Sequence, residues 1–85
     1  MTTPQRIIEE VLREKLTKKD RFGRDYLLLK LDNDEAIFVF PGRVPTSEWT
    51  KLTEGKKYSF VVEPGQNGNS NLLLSFEAEG EIIFI

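Results

Sequence analysis

The chain has 85 residues, of which 39% are hydrophobic and 31% are charged, and its formal net charge is −2. Its length predicts a single domain over residues 1–85, and its composition is typical of a soluble globular protein, not of a disordered or fibrous one. Because the chain contains neither cysteine nor histidine, disulfides, the usual zinc sites and histidine-based catalysis are excluded. We expect no enzyme activity, cofactor or metal.

Targeting and membrane signals are not apparent. No apolar run approaches the roughly 20 residues that cross a bilayer. The start of the chain, MTTPQRIIEE, lacks the basic residues and the apolar core of a signal peptide. The sequence therefore predicts a cytoplasmic protein without membrane contact.

Residues 4–16 allow two interpretations. Pro4 at a first helical position and apolar residues at helical spacing indicate an amphipathic helix. Alternatively, a long strand begins near Arg6, with Ile8 and Leu12 pointing inward and a bulge that accommodates the remaining residues. The local signals alone favour the helix.

Residues 17–25, TKKDRFGRD, are predicted to form a polar loop around Gly23. Its cations either follow the phosphates of a ligand or simply keep a solvated loop soluble. Phe22, its one large apolar residue, is a candidate wedge or stacking ring, or else closes the end of the domain. The basic residues in and just before this loop are Lys15, Lys18, Lys19, Arg21 and Arg24.

Residues 26–40, YLLLKLDNDEAIFVF, are predicted to form a β-hairpin. A three-residue loop places all the aliphatic residues of odd number on one face, whereas a two- or four-residue loop turns the second strand over. We favour the three-residue loop because it gives one aliphatic face for the core and one aromatic face on which flat groups can stack. The aromatic face comprises Tyr26, Leu28, Lys30, Phe38 and Phe40. The aliphatic face comprises Leu27, Leu29, Leu31, Ile37 and Val39.

The second half of the chain predicts one short helical turn and further strands. Pro41 and Gly42 end the hairpin, and a capped turn follows to about Leu52 with Trp49 on its buried side. Residues 57–63, KYSFVVE, alternate as a strand with one apolar side, and PGQNGNSN is a hairpin tip. Residues 71–76 form the next strand, and GEIIFI either extends it or covers an opening of the domain.

This order of elements resembles the OB-fold of replication protein A and of anticodon-binding domains. The resemblance rests on VLRE leading to TKK, on YLLLKLDNDEAIFVFP, and on LTEGKKYSFVV with Gly55 before the fourth strand. It implies a mainly β fold, a five-stranded Greek-key barrel with a short helix between strands 3 and 4. It also favours the strand over the helix for residues 4–16.

The resemblance implies that the chain binds single-stranded nucleic acid, DNA in preference to RNA, with little sequence preference. Bases would stack on the rings and the basic loop would hold the backbone. The alternative is a protein-interaction module or a subunit of a larger assembly, and self-association would strengthen weak binding by a single unit. The candidate site comprises Lys15, Lys18, Lys19, Arg21, Phe22, Arg24, Tyr26, Lys30, Phe38 and Phe40.

Overall fold

Five strands and one short helix make up the described part of the chain, residues 5–65 and 70–78 of a computed structural model. The strands form a single sheet in the order β1-β2-β3-β5-β4, and the sheet closes on itself because β1 also pairs with β4. The mainly β prediction is confirmed at this level. The elements are β1 (Arg6–Lys19), β2 (Asp25–Leu31), β3 (Ala36–Val39), α1 (Thr46–Trp49), β4 (Lys57–Pro64) and β5 (Asn71–Ala78).

Strand β1 shows that the helical interpretation of residues 4–16 is wrong. Its first half pairs with β4 and its second half with β2, and the register shifts at Arg13. Ile8 and Leu12 point inward as the strand alternative predicts, and both are buried. Ile7, which a helix would place beside them, is 65% exposed. The strand forms because hydrogen bonds to β4 and β2 satisfy its backbone groups. A short amphipathic helix is only marginally stable by itself.

The β2–β3 hairpin has the predicted three-residue loop. Leu29 pairs with Ile37 and Leu27 with Val39, and the Leu31 amide donates to the Glu35 carbonyl at 2.9 Å. Asp34 takes the left-handed conformation, with φ of +69°, as the last residue of such loops does. The aliphatic face therefore lies in the core, and all five of its residues are buried.

The core is completed by α1 and β4. The Trp49 indole donates a hydrogen bond to the Val44 carbonyl at 2.9 Å, and Leu52 is buried beyond it. Trp49 faces inward, as predicted, and Leu52 does so too. The inward side of β4 is also as predicted and comprises Tyr58, Phe60 and Val62.

Element boundaries differ from the sequence-based expectation in several places. Helix α1 ends at Trp49, before the predicted end near Leu52, and no side chain caps its start. The predicted loop over residues 17–25 is shorter, because β1 continues to Lys19 and β2 begins at Asp25. Strand β5 continues to Ala78, past the predicted end at residue 76. Residues 66–69 of the PGQNGNSN tip and the whole GEIIFI segment lie outside the described residues. Within residues 5–65 and 70–78, no helix combines the length and apolarity needed to cross a membrane.

We predict that Tyr58→Phe lowers the free energy of unfolding by about 1–2 kcal/mol. The Tyr58 hydroxyl accepts a hydrogen bond from the Thr53 amide at 2.7 Å and donates one to the Lys51 carbonyl at 3.0 Å. The variant leaves both backbone groups without this partner, which urea denaturation measures. Tyr26→Phe removes a hydroxyl from the outer surface and is the matched control. Equal stability of the two variants would contradict the prediction.

Candidate functional site

Three rings stand side by side on the outer surface of the β2–β3 hairpin. The ring centre of Tyr26 lies 6.1 Å from that of Phe38 and 5.5 Å from that of Phe40, and the two phenylalanine rings are 6.4 Å apart with an interplanar angle of 11°. Tyr26 and Phe38 are half-buried and Phe40 is 36% exposed. We call these three residues the aromatic platform. The prediction that both phenylalanines face outward is confirmed.

An apolar row crosses the sheet through the centre of this platform. Leu16 of β1 pairs with Leu28, Leu28 pairs with Phe38, and Phe38 pairs with Leu72 of β5. Residues paired across neighbouring strands carry their side chains on the same face, within contact distance. The row is half-buried throughout, so the rings stand on a continuous apolar surface.

Two cations share the face of the aromatic platform. Lys18 pairs directly with Tyr26 in the register, and Lys30 lies two residues beyond Leu28 on β2. Lys18 is exposed and Lys30 is half-buried. Neither ammonium group has an ion-pair partner among the residues described, so both can meet a ligand anion.

Lys15 and Lys19 lie on the opposite face of the sheet. They alternate with Leu16 and Lys18 along β1, because successive side chains leave opposite sides of a strand. The Lys15 Nζ donates to the carbonyls of Trp49 and Leu52 at 2.8 and 2.9 Å, so its charge holds the end of α1. The structure does not bring Lys15 to the platform.

Lys19, the remaining lysine of β1, is bound to a carboxylate. Lys19 Nζ lies 2.8 Å from Asp25 Oδ1, and this hydrogen bond raises the pKa of Lys19 above its ordinary value. Lys19 is exposed but directed away from the rings. The five cations predicted to act together are therefore divided between two faces and a turn.

The turn between β1 and β2 is organised by one carboxylate. Asp20 Oδ1 accepts hydrogen bonds from the amides of Phe22 and Arg24 at 2.8 and 2.9 Å, and Oδ2 lies 3.2 Å from Arg24 Nε. The Gly23 amide donates to the Asp20 carbonyl at 3.0 Å, and Gly23 has φ of +81°, which favours glycine. Hydrogen bonds to both the side chain and the backbone carbonyl of Asp20 therefore hold the turn.

Phe22 occupies the tip of this turn and is 72% exposed. The guanidinium carbons of Arg21 and Arg24 lie 5.6 and 5.1 Å from its ring centre, within cation–π range. Phe22 therefore does not close the end of the sheet. It stands in solvent beside two positive charges.

A cleft of about 600 Å³, which sequence reasoning missed, opens at the other end of the platform beside Phe38. Arg6 crosses it to Glu35 at 2.8 Å and to Asn71 Oδ1 at 3.2 Å, and the hydrogen bond from Arg6 lowers the pKa of Glu35. Asn71 in turn donates to the Ala36 carbonyl. These groups satisfy one another across long sequence separations, so no local motif could reveal the cleft.

Asp20 is predicted to titrate below its ordinary pKa of 3.8, because the Arg24 amide, above all, stabilises its ionised form. The turn is stabilised fully above that ordinary value and loses this contribution as the pH falls through the lower pKa of the folded state. NMR titration should show the amides of Phe22 and Arg24 changing with the Asp20 carboxyl. Asp20→Asn should abolish that titration, and an Asp20 pKa at or above 3.8 would contradict the assignment.

Comparisons with known proteins give no assignment. A scan of protein-family models finds none that matches this chain, and a search of curated proteins finds no significant match.

Proposed function

We propose that this chain is an OB-fold module that binds single-stranded nucleic acid with little sequence preference. The observation that carries the proposal is the aromatic platform, three rings on the outside of the β2–β3 hairpin with Lys18 and Lys30 beside them. A ring on a protein surface gives up the stabilisation that its burial would provide. Three such rings together on one face of a sheet are suited to binding flat, hydrophobic ligands.

The architecture supports this proposal. OB-folds hold oligonucleotides on the face of their second and third strands and on the adjoining loops. The platform occupies the corresponding strands of this closed sheet, and the turn with Phe22 joins β1 to β2. The helix α1 lies between β3 and β4, where the resemblance places it.

The spacing of the rings suits successive bases of an extended strand. Phe38 and Phe40 are 6.4 Å apart, because two residues of a strand advance by about 6.6 Å. This exceeds the rise of about 3.4 Å per nucleotide in a duplex strand, so bases that separate from one another can each take a ring. Stacking contributes roughly 1–3 kcal/mol per base, whichever base it is.

The charges predict a modest electrostatic contribution. Lys18 and Lys30 flank the rings, Arg21 and Arg24 stand at the turn, and the chain as a whole carries −2. Two to four phosphate contacts correspond to a slope of log K against log salt of about −1.4 to −2.8 for a single strand. Stacking, not charge, therefore supplies most of the proposed affinity.

A second candidate follows from the apolar row of Leu16, Leu28 and Leu72 through the platform. Aliphatic side chains between rings also suit a docked polypeptide, since interface cores are rich in aromatic and apolar residues. In this reading the same face is a protein-interaction surface or a subunit contact. Oligonucleotide titration separates the two candidates.

Phe38→Ala and Phe40→Ala are each predicted to weaken binding of oligo-dT or oligo-rU of about 12 nucleotides by about 5- to 150-fold. The salt slope should stay unchanged, because neither variant removes a charge. Fluorescence anisotropy at about 0.05 and 0.2 M salt measures both quantities. Ile7→Ala, at an exposed apolar site on β1 outside the platform, is the matched control. Absence of oligonucleotide binding at low salt would favour the protein-interaction candidate.

Lys15→Met and Lys18→Met remove the same charge three residues apart and are predicted to have opposite consequences. Lys15→Met leaves the Trp49 and Leu52 carbonyls without their donor and should lower the free energy of unfolding by about 1–3 kcal/mol. It should change oligo-dT affinity by no more than about twofold. Lys18→Met should leave stability within about 0.5 kcal/mol and reduce the steepness of the salt slope by about 0.7. Equal effects on affinity would contradict the placement of Lys15.

A further inference from the structure

Phe22 is the most exposed large hydrophobic residue in the described part of the chain. It makes no contact that the sheet needs, since it lies at the tip of the turn between β1 and β2, outside the core cluster. The aromatic platform does not include it either. A ring left 72% in water on a small domain therefore calls for an external contact.

The turn holds this ring on a fixed support. Asp20 accepts hydrogen bonds from the amides of Phe22 and Arg24, and its own amide donates to the Arg24 carbonyl at 2.9 Å. Binding at a pre-ordered tip avoids the entropy of ordering a loop. The ordered turn therefore holds the Phe22 ring in a defined exposed position, as a wedge requires.

The surroundings of the ring are positive. Arg21 and Arg24 both lie over Phe22, and the Asp20 carboxylate is directed into the turn, with a side-chain exposure of 29%. A guanidinium group can donate two hydrogen bonds to the same phosphate group. The tip therefore combines one flat apolar ring with two guanidinium groups close to it, of which that of Arg24 also binds Asp20.

The tip also continues the line of the platform. Lys18 pairs with Tyr26, Lys19 with Asp25, and the turn follows immediately. A strand that runs along the platform therefore passes the tip at one end. A terminal base pair offers a larger flat surface than a single base, and phosphates flank it, which matches a ring with two guanidinium groups beside it. Phenylalanine side chains are among the apolar wedges that insert at base steps.

We propose that Phe22 stacks on the end of a duplex where it meets a single strand, with Arg21 and Arg24 on the phosphates beside it. The protein then prefers junctions of single- and double-stranded nucleic acid over a plain single strand. This inference rests on the proposed single-strand binding by the platform. It assigns to the turn a recognition task that the platform does not perform.

The test compares plain oligo-dT with hairpins that carry the same oligo-dT tail on either the 5′ or the 3′ side. The wild-type protein should bind one tailed hairpin about 5- to 30-fold more tightly than the tail alone, as expected for one added stacking contact. A single preferred polarity is expected, because the platform lies on one side of the tip. The fluorescence of 2-aminopurine in the terminal base pair reports the contact directly.

Phe22→Ala should abolish the preference for the junction, so that the tailed hairpin and plain oligo-dT bind this variant with equal affinity, and Phe22→Trp should retain the preference. Phe40→Ala is the control, since it should weaken binding to both DNAs equally. Asp20→Asn keeps an acceptor for the two turn amides and should keep the preference, whereas Asp20→Ala should reduce it.

Three outcomes would overturn the inference. Equal wild-type affinity for tail and tailed hairpin would reject junction recognition while single-strand binding stands. Failure to bind either DNA would reject both proposals together. Binding to anionic phospholipid vesicles that depends on Phe22, without a junction preference, would assign the tip to a membrane surface instead.

Discussion

The loop of residues 32–34 determines which side chains of the β2–β3 hairpin face the core and which face outward. Because side chains alternate along a strand, one residue more or less in this loop would turn Ile37 and Val39 outward and Phe38 inward. Asp34 accepts the left-handed conformation that a three-residue loop requires. Burial of each aliphatic side chain contributes about 1.5–3 kcal/mol, so the core and the turn select the same register. The register that buries the aliphatic face also places the aromatic platform on the outer face.

A second constraint decides which cations can reach the platform. The register shift at Arg13 changes which side of β1 faces the core: Leu12 is inward before it, whereas Leu16 is outward after it. Lys18 therefore joins the rings, and Lys15 turns towards the carbonyls at the end of α1. Had β1 been regular, the even-numbered positions would have stayed inward and Lys18 would have pointed away from Tyr26.

The sequence predicted what depends on alternation and local turn chemistry. The inward sides of β2, β3 and β4, the three-residue loop and the burial of Trp49 all follow from such patterns. Residues 4–16 stayed ambiguous because Ile8 and Leu12 are four apart, a spacing that places two residues on one side of either a helix or a strand. Only pairing with β2 and β4, distant in sequence, decides between them.

The distribution of the cations was beyond prediction for a related reason. Lys15, Lys18 and Lys19 are near neighbours in sequence, and alternation along β1 separates Lys18 from the other two. Which face each of them takes depends on the bulge at Arg13, which no local residue type marks. The cleft beside Phe38 likewise depends on Arg6 meeting Asn71, which is 65 residues away. Patterns of local sequence carry no information about such contacts.

The charges around the platform bear on how a strand would lie in the proposed complex. Lys18, Arg21 and Arg24 stand at the end with the turn, whereas Asp34, Glu35 and Glu63 line the cleft at the opposite end. Arg6 pairs with Glu35 and Arg43 with Glu63, and at the turn Arg24 pairs with Asp20. Among the described residues, Lys18 and Arg21 are therefore the cations at the turn end that have no ion-pair partner. A nucleic-acid backbone that follows the rings from the turn meets positive charge first and carboxylates last. Lys30 is the cation on the platform's face that lies nearest to those carboxylates. The favourable stretch therefore matches the length of the three rings, and a longer single strand gains affinity only by continuing past the turn.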